Sequence, residues 1–156
     1  MLRFKDSMSP LSNFTEGSTF RPVIGDVAER ADNGSVKRVV LCAGQVYYDL
    51  AKARDERNLA DDVAIVRVEQ LYPFPYDEIK AELAKYPNAK EVTWAQEEPH
   101  NQGAFFQIRH RIERVLDASQ TLSFAGRPTS ASPAVGYMSK HVAQLKQLID
   151  DALTLN

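Results

Sequence analysis

The apolar positions change rhythm repeatedly along the chain, each time in the same order. Residues 36–43 form a β-branched run that stops at Gly44 and gives way to Val46, Leu50 and Ala53 at helical spacing. Residues 63–68 read as a second strand. Pro73 and Pro75 then stop the chain, and Ile79, Leu83 and Tyr86 line one face of a short helix whose first turn carries Asp77 and Glu78. A third strand is expected at 91–95, a polar loop at 97–103, and a helix with Phe105, Ile108, Ile112 and Val115 facing inward. The last cycle has a strand at 121–124, a loop at 126–136 with two prolines, and a helix with an apolar stripe of Met138, Val142, Leu145, Ile149 and Ala152. Residues 1–35 show no sustained period and are broken by Pro10, Gly17, Pro22, Gly25 and Gly34. They are expected to form an arm, with a possible edge strand at 20–24, ahead of a domain spanning 36–156.

Strands alternating with amphipathic helices predict an α/β fold in three layers, α/β/α. Right-handed crossovers place helices on both faces of a mostly parallel sheet. The 156 residues are 44% hydrophobic and 26% charged, the balance of one globular domain with a core of its own. A net charge of −2 provides no global field for nucleic acid or anionic lipid, so neither is an expected partner. No apolar run is long enough to span a bilayer and no signal peptide stands at the N-terminus, so the chain is expected to be cytoplasmic. The single cysteine, Cys42, cannot pair within the chain, and its spacing to His100, His110 and His141 matches no metal motif.

Ligands of open α/β sheets bind beyond the carboxyl ends of the strands, which points to residues 43–45, 69–76, 96–103 and 125–139. None is a glycine-rich phosphate cradle, and no nucleophile elbow occurs. Cys42 lies in an apolar strand, where a thiol is a packing group. Glu97 and Glu98 are adjacent, so their side chains diverge instead of sharing a substrate. They read as interface carboxylates or as anions near the start of the next helix. His100 reads as a surface or capping residue, and His110 and His141 as members of solvated helix faces. No catalytic residue is expected. Arg54 and Arg57 share a face at the end of the first helix, ordinarily a solvated one. Arg21, Arg127 and Lys140 are further cations that a compact domain can bring near them.

Five stretches carry a specific resemblance. They are Ser-Pro-Leu-Ser-Asn-Phe-Thr-Glu-Gly at 9–17, Val-Lys-Arg-Val-Val-Leu-Cys-Ala-Gly-Gln-Val-Tyr-Tyr-Asp-Leu at 36–50, and Val-Arg-Val-Glu-Gln-Leu-Tyr-Pro-Phe-Pro at 66–75. Gln-Glu-Glu-Pro-His-Asn-Gln-Gly-Ala at 96–104 follows, and then Ala-Gly-Arg-Pro at 125–128 with Ser-Ala-Ser-Pro-Ala at 130–134. In this order they resemble the C-terminal region of the thiamine-dependent 2-oxoglutarate dehydrogenase component, in a bacterial style. Asn13 stands where that family often has Asp, and Phe105-Phe106 where a pair containing Trp is common.

The resemblance implies a transketolase C-terminal-like domain with a five-stranded sheet, one strand running against the others, for which 20–24 is the candidate. It also implies a fragment of a longer, dimeric citric acid cycle enzyme. That enzyme decarboxylates 2-oxoglutarate oxidatively and passes the succinyl group to lipoamide in a complex with dihydrolipoyl succinyltransferase. Thiamine diphosphate and Mg²⁺ would then sit in other domains, since Gly25-Asp26 is followed by Val27 and lacks the second glycine of the cofactor signature. Two roles are expected from this. One is a structural and regulatory domain whose Glu97, Glu98, His100, Asn101 and Gln102 face another domain or subunit. The other is an autonomous small-ligand domain, with Arg21, Arg54, Arg57, Arg127 and Lys140 as an anion site for an allosteric effector such as acetyl-coenzyme A or AMP. Those five are chosen by chemistry, because arginine's planar fork suits phosphate.

Overall fold

The computed structural model describes residues 5–155. Its elements in chain order are β1 (Val23–Ile24), β2 (Arg38–Cys42), α1 (Val46–Glu56), β3 (Val63–Val68), α2 (Tyr76–Leu83), β4 (Glu91–Pro99), α3 (Phe105–Glu113), β5 (Thr121–Arg127) and α4 (Met138–Leu153). The five strands make one sheet in the order β1-β3-β2-β4-β5. All neighbours run parallel except β1, which pairs antiparallel with β3 through Val23 opposite Val68 and Ile24 opposite Arg67.

Period-two alternation divides the apolar side chains between two cores, as expected for a sheet covered on both faces. Val39, Leu41, Ala64, Val66, Val92 and Trp94 pack with Ile79, Leu83, Ile108 and Ile112 of α2 and α3. Val40, Cys42, Val63, Ile65, Ala95 and Ala125 pack with Val46 and Leu50 of α1 and Leu148, Ala152 and Leu153 of α4. The Cys42 thiol is fully buried and its pKa is pushed up by desolvation, in keeping with a packing role.

Four sequence expectations need adjustment. The arm supplies β1 with two residues only, and Phe20 stays exposed. Strand β4 continues past residue 95 to Pro99, with its register to β5 shifting between Ala95 and Pro99. Gln96 reads as loop because it is polar, yet its side chain is buried and hydrogen-bonded, so the strand loses nothing by including it. Strand β5 also runs on, to Arg127. On α4 the apolar stripe is covered only in its second half. Met138 is 75% and Val142 57% exposed, and the buried face is Leu148, Ala152 and Leu153.

Candidate functional site

The carboxyl ends of β2 to β5 and the arm form a polar rim, in which the β4–α3 turn is built around Gln96. Its amide nitrogen donates to the carbonyls of Gln102 at 2.7 Å and Pro99 at 3.2 Å. Its oxygen accepts from Trp94 Nε1 at 2.9 Å and from the Phe105 backbone N–H at 3.1 Å. One buried side chain thus shapes the turn and satisfies the first amide of α3. Gly103 completes the turn at φ +68°, where a Cβ would lie 2.8 Å from Gln96 Nε2.

The proposed interface residues divide on this rim. Asn101 and Gln102 turn toward the next loop, both donating to the Ser130 carbonyl, and Asn101 Oδ1 accepts from the Ser130 N–H. His100 is half-buried and packs among aromatic rings. Its ring lies 4.4 Å from that of Phe124, with Phe105 and Phe106 at 5.4 and 5.1 Å, and the His100 backbone N–H donates to the Arg127 carbonyl. Glu97 and Glu98 both lie on β4 and not on a loop, Glu97 half-buried and Glu98 exposed.

The five cations chosen for an effector do not assemble. Arg54 corrects the expectation of a solvated face. Its side chain is 3% exposed, and Nη1 donates to Asp26 Oδ2 at 2.6 Å. Asp26 is fully buried and also receives Arg30 Nη2 at 2.7 Å and the Ile65 N–H at 3.0 Å, so Arg54 is committed to anchoring the arm. Burial works against the Asp26 carboxylate, yet the hydrogen bonds from Arg54 and Arg30 outweigh it and hold its pKa below the ordinary value. Arg57 pairs with Asp150 of α4 at 2.6 Å, and Lys140 sits exposed over the Tyr137 ring. Arg127 is buried, with Nη1 on Gln144 Oε1 at 3.3 Å and Nη2 facing His141 Nδ1 at 3.1 Å.

Arg21 alone of the five lines an open groove of about 630 Å³ between the arm and the ends of β2 and β3. The groove also holds a cation that sequence reasoning missed, Arg67. Its guanidinium lies 4.5 Å over the Tyr47 ring, and its Nε is buried without a hydrogen-bond partner, Glu69 being 3.9 Å away. The available signal was a lone arginine in an apolar strand of a sheet buried on both faces. The neighbouring Gly44 turn, at φ +76°, has nothing within 4 Å of where a Cβ would stand.

On the α1 and α4 side, Arg127 of β5 contacts His141 of α4, and Asp49 of α1 and Glu97 of β4 lie within electrostatic range of His141. Desolvation, then Glu98 and Asp49, raise the Glu97 pKa, while Arg127 and His141 oppose the rise. Asp49 is raised by desolvation as well. Among the described residues no group of three or more His, Cys, Asp or Glu side chains is arranged to hold a metal ion.

This architecture has a counterpart in a solved structure titled "Split gene transketolase, inactive beta4 tetramer". The TM-score is 0.58 at 14% identity, over 91% of this chain and 45% of that one, which establishes a shared α/β fold. A family profile described as 2-oxoglutarate dehydrogenase C-terminal matches residues 8–153, and the chain belongs to that family. It is 52% identical over 152 residues to the 2-oxoglutarate dehydrogenase E1 component of Cupriavidus necator, covering 97% of this chain. The protein of the same description from Haemophilus influenzae is 49% identical over 99% of this chain. The chain spans 16% of the length of each of these two relatives.

Proposed function

We propose that the chain is the non-catalytic C-terminal domain of a 2-oxoglutarate dehydrogenase component, a dimeric cytoplasmic enzyme dependent on thiamine diphosphate and Mg²⁺. In this reading the whole enzyme decarboxylates 2-oxoglutarate and delivers the succinyl group to a dihydrolipoyl succinyltransferase complex. The observation that carries it is the match over residues 8–153 to a family defined by the C-terminal region. In this reading thiamine diphosphate and Mg²⁺ sit in other domains of the enzyme, since Gly25-Asp26 is followed by Val27 and lacks the second glycine of the cofactor signature. No step of the reaction is assigned to the residues of this chain.

The domain's work is then to pack and to regulate. Polar atoms at the β4–α3 turn are largely spent on shaping it, and exposed apolar side chains stand around the rim, Tyr72 at 82% and Phe106 at 53% exposure among them. Such patches suit contact with another domain or subunit. The test is Glu98→Arg in the full-length enzyme. Dimer dissociation should strengthen at least about tenfold with turnover of the assembled enzyme kept, since a like-charge or misfit pair at an interface costs kcal/mol. A variant that stays dimeric yet loses only the chemical step overturns the reading.

The unpartnered Arg67 Nε favours a second role alongside the first, binding an anionic effector of the acetyl-coenzyme A or AMP type in the arm groove with Arg21. Arg67 and Arg21 both line this groove, where a phosphate would meet two guanidiniums, and the aromatic rings of Tyr48, Phe14 and Phe20 line it as well. Effector titration of the full-length enzyme tests this. Arg67→Met should weaken binding by about 1.5–3 kcal/mol, and unchanged affinity removes the site.

A further inference from the structure

We propose that the loop between β5 and α4 is a binding site for one small tetrahedral oxyanion of the phosphate class, held by Arg127 and by hydroxyl and backbone donors of residues 129–135. The argument begins with the buried arginines. Arg38, Arg54 and Arg127 are each at most 8% exposed. Arg38 is paired with Glu91, and Arg54 with Asp26. Arg127 has no carboxylate partner among the described residues. Its Nη1 donates to Gln144 Oε1 at 3.3 Å and its Nη2 faces His141 Nδ1 at 3.1 Å, and neither acceptor is an anion. A cation taken out of water without an anion is costly. The remaining N–H groups of this guanidinium bond nothing among the described residues.

Arg127 also lines a cavity of about 130 Å³ between the loop, Pro99 and Gln144, and no Asp or Glu borders it. The lining brings donors instead. Ser130 Oγ accepts from the Ser132 N–H at 3.2 Å, which leaves the hydroxyl's own proton to give. The Thr129 hydroxyl and the backbone N–H groups of Thr129, Ala134 and Val135 bond nothing among the described residues. Contacts within the fold fix the loop in this shape. Asn101 and Gln102 donate to the Ser130 carbonyl at 2.9 and 3.0 Å, Asn101 Oδ1 accepts the Ser130 N–H at 3.0 Å, and Ser132 Oγ donates to the Ala134 carbonyl at 2.8 Å. Donors held in place beforehand lose little freedom when a ligand arrives.

Size selects the ligand. The cavity is about four times the roughly 30 Å³ share of one water, and well below the roughly 300 Å³ at which sites for larger organic ligands begin. It takes one tetrahedral group and excludes a nucleotide, which separates it from the arm groove of about 630 Å³. A guanidinium offers paired N–H groups to two oxygens of such an ion, and the hydroxyls and amides serve the others. The inference uses only contacts within this chain and depends neither on the proposed parent enzyme nor on the effector proposed at Arg67 and Arg21.

The test is a titration of the ¹⁵N-labelled 156-residue chain with sodium phosphate at constant ionic strength, read from backbone amide shifts and the Arg127 Nε–H signal. Shifts at Arg127 and residues 129–135 should saturate with a Kd of about 1 mM or below. Sulfate should compete, and AMP at the same concentration should leave these signals unmoved. Arg127→Gln should weaken phosphate binding at least about tenfold, and Thr129→Val about threefold. Should Arg127→Gln fail to fold, Arg127→Lys replaces it, keeping the buried charge and losing the paired donors, with a weakening of about tenfold expected again. Shifts that never saturate, an affinity unchanged by either Arg127 substitution, or AMP binding here as well as phosphate overturns the site. Phosphate shifts confined to the arm groove overturn it too, whatever becomes of the effector proposed there.

Discussion

Arg54 and Arg67 are both largely buried arginines near the arm, and they differ in what meets the guanidinium. Arg54 comes from α1 and finds Asp26 at 2.6 Å, in a cluster where Arg30 and two backbone N–H groups complete the carboxylate. Arg67 comes from β3 and finds an aromatic face at 4.5 Å, a carboxylate too distant to bond, and an unmatched Nε beside an open groove. A guanidinium completed inside the fold holds the fold together. One left incomplete beside a groove contributes less to holding it. Arginine content alone does not separate the two cases, because burial and partner geometry decide the role.

The sharpest way to break the comparison is to remove Asp26. Asp26→Ala leaves two nearly buried guanidiniums without their anion, and unfolding free energy should fall by about 3–5 kcal/mol, measured by denaturant titration. Arg67→Met should keep stability within about 1 kcal/mol of the parent. Equal losses in the two variants would erase the distinction.

Acid provides a related test. The Asp26 pKa is depressed in the fold, so between the ordinary aspartate value, about 3.9, and the folded value the unfolded chain binds the proton that the native state refuses. Stability from this group is therefore complete above the ordinary value and is lost as pH falls through the folded one. Thermal melting at descending pH should show this loss, with a shallower slope in Asp26→Asn.

A smaller effect is expected at the turn. Gly103→Ala meets both a positive φ and a 2.8 Å approach to Gln96 Nε2, and should cost about 1–2 kcal/mol, seen as a lower melting temperature. The smallest belongs to Arg57, whose pair with Asp150 is partly exposed on both sides. Arg57→Ala should change stability by less than about 1 kcal/mol. A larger loss would place Arg57 with Arg54 among the completed anchors.

What could be read directly from the chain was whatever depends on local periodicity. The β-branched apolar runs in 36–43 and 63–68, the helical spacing of Phe105, Ile108 and Ile112, and the glycine and proline stops determine strands, helices and a sheet covered on both faces. The apolar composition places Cys42 in a core. Tertiary structure decided the fate of the polar residues. Gln96 extends a strand because its amide finds carbonyls from residues up to six positions away, and Arg54 is buried because Asp26, 28 positions earlier, reaches it. The half-covered stripe of α4 belongs to the same class, since Met138 and Leu148 are both apolar and only the position of α1 and the sheet determines which is covered. Apolar burial is nearly independent of partner identity, so spacing suffices to foresee it. A charge or an amide is buried only where a specific partner meets it at hydrogen-bond distance, and that meeting is made by the completed fold.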